Sequence, residues 1–201
     1  MSARREFTLN SLLPSFEVSN LNRPIDINQE LKTDMAIIDF GSGMGSHTLD
    51  LAKNNPQVGV LAIEVHTVGL LEVVAAATEL ELTNICTHHG DGIDVVKNWL
   101  KPESIAEVHI LFPDPWPKAR HNKRRLMSNM FIDMTLRVLV PGGRVLFVTD
   151  DESYFESAAA SLLANPKVQV QFDDWEIPLT TYHERALRLN HKIAQLSATK
   201  I

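Results

Sequence analysis

Three closely spaced glycines follow a short apolar run and could bring the backbone close to a bound ligand. The apolar run is Met35–Phe40, and it leads into Gly41-Ser-Gly43-Met-Gly45 before a segment whose apolar residues have helical spacing. Because glycine has no Cβ, the chain at these positions can touch a ligand that another residue would push away. In open parallel sheets, a glycine turn between the first strand and the first helix binds nucleoside-containing ligands.

The spacing of these glycines separates two classes of cofactor. Dinucleotide-binding chains carry G-x-G-x-x-G, whereas the third glycine here, Gly45, comes one residue early and Ser46 takes the dinucleotide position. This difference favours S-adenosylmethionine over NAD, with the glycine turn against the methionine portion of the ligand. A Cβ at Gly43 would occupy the space that this portion needs.

Acidic residues at the ends of three successive predicted strands also indicate a nucleoside site. Asp39 lies at the end of the first strand, Glu64 ends the second and Asp91 follows the third. Glu64 has the spacing of a ribose-binding acid and could accept hydrogen bonds from both ribose hydroxyls. Asp91 could accept a hydrogen bond from the adenine amino group. The alternative is a tight turn at Gly41–Gly45 beside three solvated strand ends.

A proline-rich segment after the fourth predicted strand could bind a flat ring. Its sequence is Phe112-Pro-Asp114-Pro-Trp116-Pro-Lys118. Proline fixes φ, so Asp114 and Trp116 would be held with little entropy left to lose on binding. A carboxylate can accept the hydrogen bonds of a heterocycle while an indole covers its face. The alternative is a rigid turn with a buried tryptophan.

A basic run follows the proline-rich segment directly. Although the chain has a net charge of −6, this run places five cations within eight residues: Lys118, Arg120, Lys123, Arg124 and Arg125. Such a run is usually a solvated surface. Beside a site of the size of a heterocycle, it predicts contacts with the phosphates of a polyanion, because an acidic protein can still bind a polyanion through one basic patch.

These two segments together resemble a known signature. The residues Phe112–Arg125 are similar to the motif of the tRNA (guanine-N7)-methyltransferases, which act on a guanosine in the tRNA variable loop. The resemblance implies transfer of a methyl group from S-adenosylmethionine to N7 of that guanosine. It covers nearly all of residues 36–195, including Ile63–His66, Leu139–Gly143, Thr149-Asp150 and a last motif from Thr180 to His191.

The resemblance also implies roles for single residues. Asp39, Glu64, Asp91 and Asp114 would line the donor site beside the glycines, and Asp114 would also be catalytic. Lys118, Asp150 and Thr180–His183 would contact the substrate. With the residues named above, the predicted substrate contacts are Trp116, Lys118, Arg120, Lys123, Arg124, Arg125, Asp150, Thr180, Thr181, Tyr182, His183 and Glu184.

The sequence departs from the family pattern near its end. Thr180-Thr-Tyr182-His183 stands where the family usually reads Thr-x-Phe/Tyr-Glu, and the carboxylate comes one position later, at Glu184. We expect a loop over Thr180–Arg185, in which Glu184 could reach the place of the family's glutamate. Asp151 stands where a tryptophan is common. These changes leave open another RNA or a small molecule as acceptor, and also a non-catalytic subunit that only binds the donor.

The elements that would position these residues alternate between strand and helix, which predicts an α/β domain over residues 35–201 with a doubly wound, mostly parallel, Rossmann-like sheet. Residues 1–34 show little pattern beyond a turn at Asn22–Pro24 and are predicted to form a mobile N-terminal extension. The predicted strands are 35–40, 58–63, 84–88, 108–112, 144–149, 168–172 and 187–194, and the predicted helices are 45–54, 65–80, 92–100, 125–139 and 152–164.

Composition limits the remaining possibilities. The 201 residues are 44% hydrophobic, but no apolar stretch approaches the roughly 20 residues of a membrane span, and no secretory signal is readable. The lone Cys86 cannot form an internal disulfide, which indicates a reducing, cytoplasmic location. The eight histidines lack the spacing of a metal site, and the G-x-S-x-G of a hydrolase is absent from the sequence. Monomer and homodimer remain open.

Overall fold

The computed structural model describes residues 2–18, 24–172 and 175–201, so the predicted turn at Asn22–Pro24 falls largely outside the described residues. Within these ranges seven strands form one sheet, in the order β3-β2-β1-β4-β5-β7-β6. The strands are β1 Met35–Phe40, β2 Val58–Glu64, β3 Ile85–His89, β4 Ile105–Leu111, β5 Leu139–Thr149, β6 Val168–Gln171 and β7 Ala194–Lys200. Strands β1 to β5 are parallel, and β7 lies antiparallel between β5 and β6.

Helices precede β1 and connect the later strands. They are α1 Ala3–Phe7, α2 Leu13–Phe16, α3 Ile27–Leu31, α4 Ser46–Asn54, α5 Thr67–Glu79, α6 Gly92–Asp94, α7 Asn129–Val138, α8 Glu152–Leu163 and α9 Thr181–Arg188. Wider π-helical turns cover Thr8–Leu12 and Val95–Trp99, and a 3-10 helix covers Ala119–Arg124.

Both faces of the sheet are buried, because the side chains of each central strand point alternately to opposite sides. In β2, Leu61 and Ile63 belong to the large core that also holds residues of α7 and α8. Val60 and Ala62 pack on the other side, with residues of α4 and α5. The strands therefore read as continuous apolar runs, and the predicted doubly wound, mostly parallel fold is confirmed.

The strand order places one crevice above the sheet. The chain leaves β1 toward β2 and β3 on one side, and β4 and β5 lie on the other side. Ligands of doubly wound proteins bind at this reversal, outside the carboxyl ends of the strands. The glycine turn after β1 and the proline-rich segment after β4 are consequently neighbours across the crevice.

The end of the chain differs from the prediction. The strand expected at 168–172 is present as β6, but the strand expected at 187–194 is wrong, because helix α9 ends at Arg188 and β7 begins at Ala194. The side chain of Thr180 caps α9 by accepting from the backbone N–H of His183 at 3.1 Å. Strand β7 was not predicted because the small or polar side chains of Ser197 and Ala198 share its buried positions with Leu196.

The segment Pro141-Gly142-Gly143 precedes the predicted strand 144–149 but belongs to the sheet. It lies within β5, where Ile105 pairs with Leu139 and Glu107 pairs with Arg144, so that the residues between bulge out of the ladder. Gly142 adopts a φ of +77°, a left-handed conformation that glycine takes without strain.

The described part of the N-terminal extension has more structure than its sequence pattern suggests. Leu13 in α2 is buried and packs against Leu70, Leu71 and Val74 of α5. Ile27 in α3 is fully buried in the large core. The division into an extension of residues 1–34 and a domain of residues 35–201 stays a prediction. Among the described residues, no helix has the length and apolar character needed to cross a membrane.

Candidate active site

The glycine turn is a rigid loop held between β2 and α5. Gly41, Gly43 and Gly45 all have left-handed φ angles, of +83°, +56° and +85°. The backbone N–H of Gly41 donates to the carbonyl of Ile63 at 2.9 Å. A Cβ on Gly69 of α5 would lie 2.2 Å from the carbonyl oxygen of Gly43, so the helix backbone touches the loop directly. The loop therefore cannot move away from a ligand without disturbing α5.

Glu64 fixes the same loop from the end of β2. Its Oε2 accepts from the backbone N–H of Gly43 and its Oε1 from that of His66, both at 2.8 Å. The residue is only 6% exposed. Each carboxylate oxygen has two lone pairs, so Glu64 can hold the loop and still accept from hydroxyl groups of a ligand.

The other two acids of the predicted nucleoside site differ in their surroundings. Asp39 is buried and accepts from the hydroxyl of Thr48 in α4 at 2.6 Å. Asp91 is exposed and caps α6, with Oδ1 accepting from the backbone N–H of Ile93 at 2.9 Å. All three acids lie at carboxyl ends of adjacent strands, as the sequence predicted, and all three line a cavity.

Two cavities meet at Glu64 and Tyr182 and form one cleft. The glycine-loop cavity is lined by Asp39, Gly43, Ser46, His47 and Thr181 among others, and has a volume of about 210 Å³. The proline-loop cavity is lined by Asp91, Phe112, Asp114, Trp116 and Arg124 among others, and has a volume of about 450 Å³. Gly41, Glu64, His66, Leu111 and Tyr182 line both cavities. A ligand held at Glu64 can therefore extend into both parts.

The proline-rich segment forms one wall of the cleft. Its backbone is strained at Phe112 and Trp116, whose φ angles of +51° and +46° are rare for residues with a side chain. Asp114 is exposed between them, on the proline-loop cavity. The guanidinium of Arg124 lies 4.8 Å from the centre of the Trp116 ring, and the ring of His121 meets its edge. The segment thus presents a carboxylate and an indole to the same cavity.

The basic run divides into an exposed part and a buried part. Lys118, Arg120, Lys123 and Arg124 are exposed beside the cleft. Arg125, by contrast, is 8% exposed and donates to the carbonyls of Pro115 and Ser153 at 2.8 and 3.0 Å. The expectation that Arg125 contacts a phosphate is therefore contradicted, since its guanidinium is enclosed by protein groups. It ties the proline-rich segment to α8 instead.

We expect Arg125→Ala to lower the free energy of unfolding by about 2–4 kcal/mol, because buried carbonyls lose their charged donor. Urea denaturation followed by circular dichroism measures this change. Arg124→Ala is the matched control, since Arg124 is exposed and should cost less than about 0.5 kcal/mol. Equal urea midpoints for the two variants would show that the Arg125 contacts contribute little.

Asp150 lies at the end of β5, at the same edge of the sheet but in a separate cavity. Its Oδ2 lies 2.7 Å from Nδ1 of His191. Glu152, Glu156 and Lys192 line this cavity with them. The next residue, Asp151, caps α8 by accepting from the backbone N–H of Tyr154 at 2.7 Å. The acid that replaces the family's tryptophan therefore starts a helix.

The segment from Thr180 to Glu184 is the first turn of α9, so the expected loop over Thr180–Arg185 is wrong. Adjacent residues on a helix point about 100° apart, and Glu184 therefore cannot take the place of its neighbour. His183 stands at the sequence position of the family's glutamate. Its ring stacks on Phe112, with 5.7 Å between ring centres, and its Nδ1 lies 3.0 Å from the carbonyl oxygen of Pro178. Glu184 is exposed.

Thr180, Thr181 and Tyr182 line the glycine-loop cavity, and Tyr182 also lines the proline-loop cavity. A Cβ on Gly43 would lie 3.9 Å from Cε2 of Tyr182. The contacts of these residues with the substrate stay a prediction. Helix α9 thus covers the predicted donor site, and through His183 it also supports the proline-rich segment.

Sequence reasoning missed a buried pair of histidines below the cleft. His47 and His109 are 7% and 4% exposed, and Nε2 of His47 lies 2.7 Å from Nδ1 of His109. The two residues are 62 positions apart, so no local pattern could have linked them. Within the described ranges, no group of three His, Cys, Asp or Glu side chains is placed to hold a metal ion.

The fold and the cleft define a class of protein. Residues 33–196 match the family model described as "Putative methyltransferase". A "putative methyltransferase" of Streptococcus mutans, solved in complex with SAH, superposes with a TM-score of 0.58 at 14% identity, covering 89% of this chain and 98% of that chain. This likeness shows the fold, and the chain is a Rossmann-like methyltransferase.

Closer relatives define the family within this class. A tRNA (guanine-N(7)-)-methyltransferase of Nitrosospira multiformis is 42% identical over 161 residues, covering 78% of this chain and 70% of the relative. The enzyme of the same name from Nitrosomonas eutropha is 35% identical over 196 residues, covering 94% and 88%. The chain belongs to the tRNA (guanine-N7)-methyltransferase family.

Proposed function

We propose that this protein transfers the methyl group of S-adenosylmethionine to N7 of a guanosine in the tRNA variable loop. The observation that carries the proposal is the placement of Asp114 and Trp116 beside four exposed cations, on a cleft continuous with the glycine loop. This arrangement offers one site for a cationic nucleoside donor, one for a flat base and one for a phosphate backbone. We propose a cytoplasmic location, because that is where a tRNA substrate is found.

The residues of the cleft fit the donor. Gly43 brings backbone next to the cavity, and the remaining lone pairs of Glu64 suit two ribose hydroxyls. Asp91, in the proline-loop cavity, suits the adenine amino group. The acidic lining also favours a ligand with a positive charge. When bound, S-adenosylmethionine supplies a methyl group on a positively charged sulfur.

The chain's own residues would act mainly by positioning. Guanine N7 already has a lone pair, so the site must hold it in line with the methyl group and exclude water. Asp114 accepts from the guanine N1–H and amino group, and its negative charge stabilises the positive charge that develops on the ring. Trp116 covers the face of the base. The new N–C bond forms as the C–S bond breaks, and the sulfur leaves as a neutral thioether.

The direct test is methyl transfer from labelled S-adenosylmethionine to tRNA, followed by nucleoside analysis. Labelled 7-methylguanosine is the expected product. Label in another nucleoside or a small molecule would instead favour a different acceptor, which the altered motif at His183 leaves as an alternative. Binding of S-adenosylhomocysteine without any transfer would indicate a non-catalytic subunit.

The exposed cations should act on tRNA binding rather than on chemistry. We expect the double change Lys123→Ala, Arg124→Ala to raise KM for tRNA by about tenfold with little change in kcat. The slope of log affinity against log salt should fall by about two, one for each lost phosphate contact. Filter binding at several salt concentrations measures this slope.

A double variant at two other exposed lysines, Lys53→Ala with Lys97→Ala, is the charge-matched control, because both lie outside the cleft. If both double variants lower the salt slope equally, the basic run is ordinary surface.

A further inference from the structure

A chain of polar contacts runs from the glycine-loop cavity to the surface. His47, in the first turn of α4, lines the cavity, and its Nε2 lies 2.7 Å from Nδ1 of His109 on β4. Nε2 of His109 lies 2.8 Å from Oε2 of Glu107, two residues earlier on the same strand. The guanidinium of Arg144 on β5 donates to Oε1 of Glu107. The function described above uses none of these four residues.

Glu107 determines which groups donate and which accept in this series of contacts. Burial raises the pKa of Glu107, but hydrogen bonds from His109 and Arg144 outweigh burial and bring it to about 2. The carboxylate can only accept, so Nε2 of His109 carries the proton. Nδ1 of a neutral His109 then accepts from the Nε2–H of His47. A neutral His47 therefore has its lone pair on Nδ1.

The groups around His47 also keep it neutral near pH 7. Burial lowers the pKa of His47, and the charges of Asp39 on β1, Asp50 on α4 and Glu107 on β4 only partly oppose this. Protonated His109 would lower it further. His47 and Asp39 both line the glycine-loop cavity, and Nδ1 is the ring nitrogen that a neutral His47 has left to accept a hydrogen bond.

The position of the donor's two ends follows from the cleft. Asp91, which suits the adenine, lines only the proline-loop cavity, and Glu64, which suits the ribose, lines both cavities. The amino-acid end must then lie in the glycine-loop cavity with Asp39 and His47. The ammonium group of the donor has three N–H donors. A hydrogen bond to Asp39 uses one of them, so a second acceptor in the cavity can bind another.

We infer that the imidazole of His47 accepts a hydrogen bond from the α-ammonium group of the methyl donor, and that His109, oriented by Glu107, is the positioning residue that keeps this imidazole in its accepting form. The inference rests on the proposed donor site. It assigns the amino-acid end of the donor to a residue outside the site predicted from the sequence.

Two ligands that differ only at the amino-acid end give the sharpest test. S-adenosylhomocysteine has the ammonium group, whereas 5′-methylthioadenosine has the same nucleoside and sulfur without it. By calorimetry, we expect His47→Ala to lower the affinity for S-adenosylhomocysteine by about tenfold and the affinity for methylthioadenosine by less than about twofold. His88→Ala is the control, since His88 is half-buried on β3 and lines neither cavity.

Variants at His109 test the positioning role. His109→Asn keeps an oxygen near the place of Nδ1 and should retain the affinity for S-adenosylhomocysteine. His109→Leu has no acceptor there and should lower this affinity by about threefold or more. The affinity of the wild type should also fall toward pH 5, because protonation of His47 adds a positive charge beside the ammonium group. Glu107→Gln should move that midpoint to lower pH, since it removes a charge that stabilises the imidazolium.

The possible results separate the inference from the proposed function. The inference would be overturned if a folded His47→Ala protein lost affinity for both ligands equally, or kept full affinity for both. It would also be overturned if Glu107→Gln left the pH midpoint of the affinity unchanged. Failure of the wild type to bind either ligand would overturn the donor site itself, and with it the proposed function.

Discussion

Asp114→Ala is expected to lower kcat for tRNA methylation by about a hundredfold or more, while the affinity for S-adenosylhomocysteine falls by less than about tenfold. Asp114 lies on the proline-loop cavity next to Trp116, where the base is proposed to bind. A carboxylate there both orients the guanine and stabilises the charge that appears on it only during transfer. Its loss should therefore affect the transition state more than the ground state.

Single-turnover kinetics with saturating donor and tRNA measures this effect without interference from product release. Asp114→Asn should lie between the wild type and alanine, because the amide oxygen still accepts a hydrogen bond but carries no charge. Asp34→Ala removes an exposed carboxylate outside the cleft and should leave the rate unchanged. A full rate for Asp114→Ala would remove this residue from the chemistry.

Gly43→Val is expected to reduce S-adenosylhomocysteine affinity by about a hundredfold or more. Gly43 has a φ of +56°, which a β-branched residue rarely adopts, and a Cβ there would point toward Tyr182 across the cavity. The substitution would also disturb the backbone N–H that donates to Glu64. One change thus fills the space of the ligand and displaces the acid that should bind its ribose.

Gly142→Val is the control that distinguishes the effect of backbone strain from the effect of filling the space of the ligand. Gly142 has a φ of +77°, and no atom lies within 4 Å of an added Cβ, so the variant has a comparable backbone strain in open space. In both variants, the free energy of unfolding measured by urea denaturation should fall by about 1–2 kcal/mol. Only Gly43→Val should lose donor affinity, as measured by calorimetry. Full affinity in a folded Gly43→Val protein would refute this site.

Much of the donor side could be predicted because parallel sheets bring the carboxyl ends of their strands together. Asp39, Glu64 and Asp91 are far apart in sequence, yet the strand pattern alone placed them on one crevice. The glycine turn was equally clear, because its positive φ angles need glycine. Local geometry and chain order were enough for these residues.

The parts that were missed depend on contacts between distant elements. Arg125 looks like its basic neighbours in the sequence, and only the packing of α8 decides that it is buried. His47 and His109 belong to different elements and show no motif. Helix α9 was overlooked because it is mostly polar, and the capping role of Thr180 cannot be told from turn chemistry without the structure.

The position of β7 has a consequence for the order in which the sheet forms. Strand β6 pairs with β7, and β7 in turn pairs with β5, so β6 has no sheet neighbour until the chain after α9 has been made. During synthesis on the ribosome, β1 to β5 can assemble first, while the edge of β5 stays uncovered. The arrival of β7 then covers that edge and recruits β6 at once. Because α9 lies between β6 and β7, the wall that it forms over the cleft is completed in this same last step.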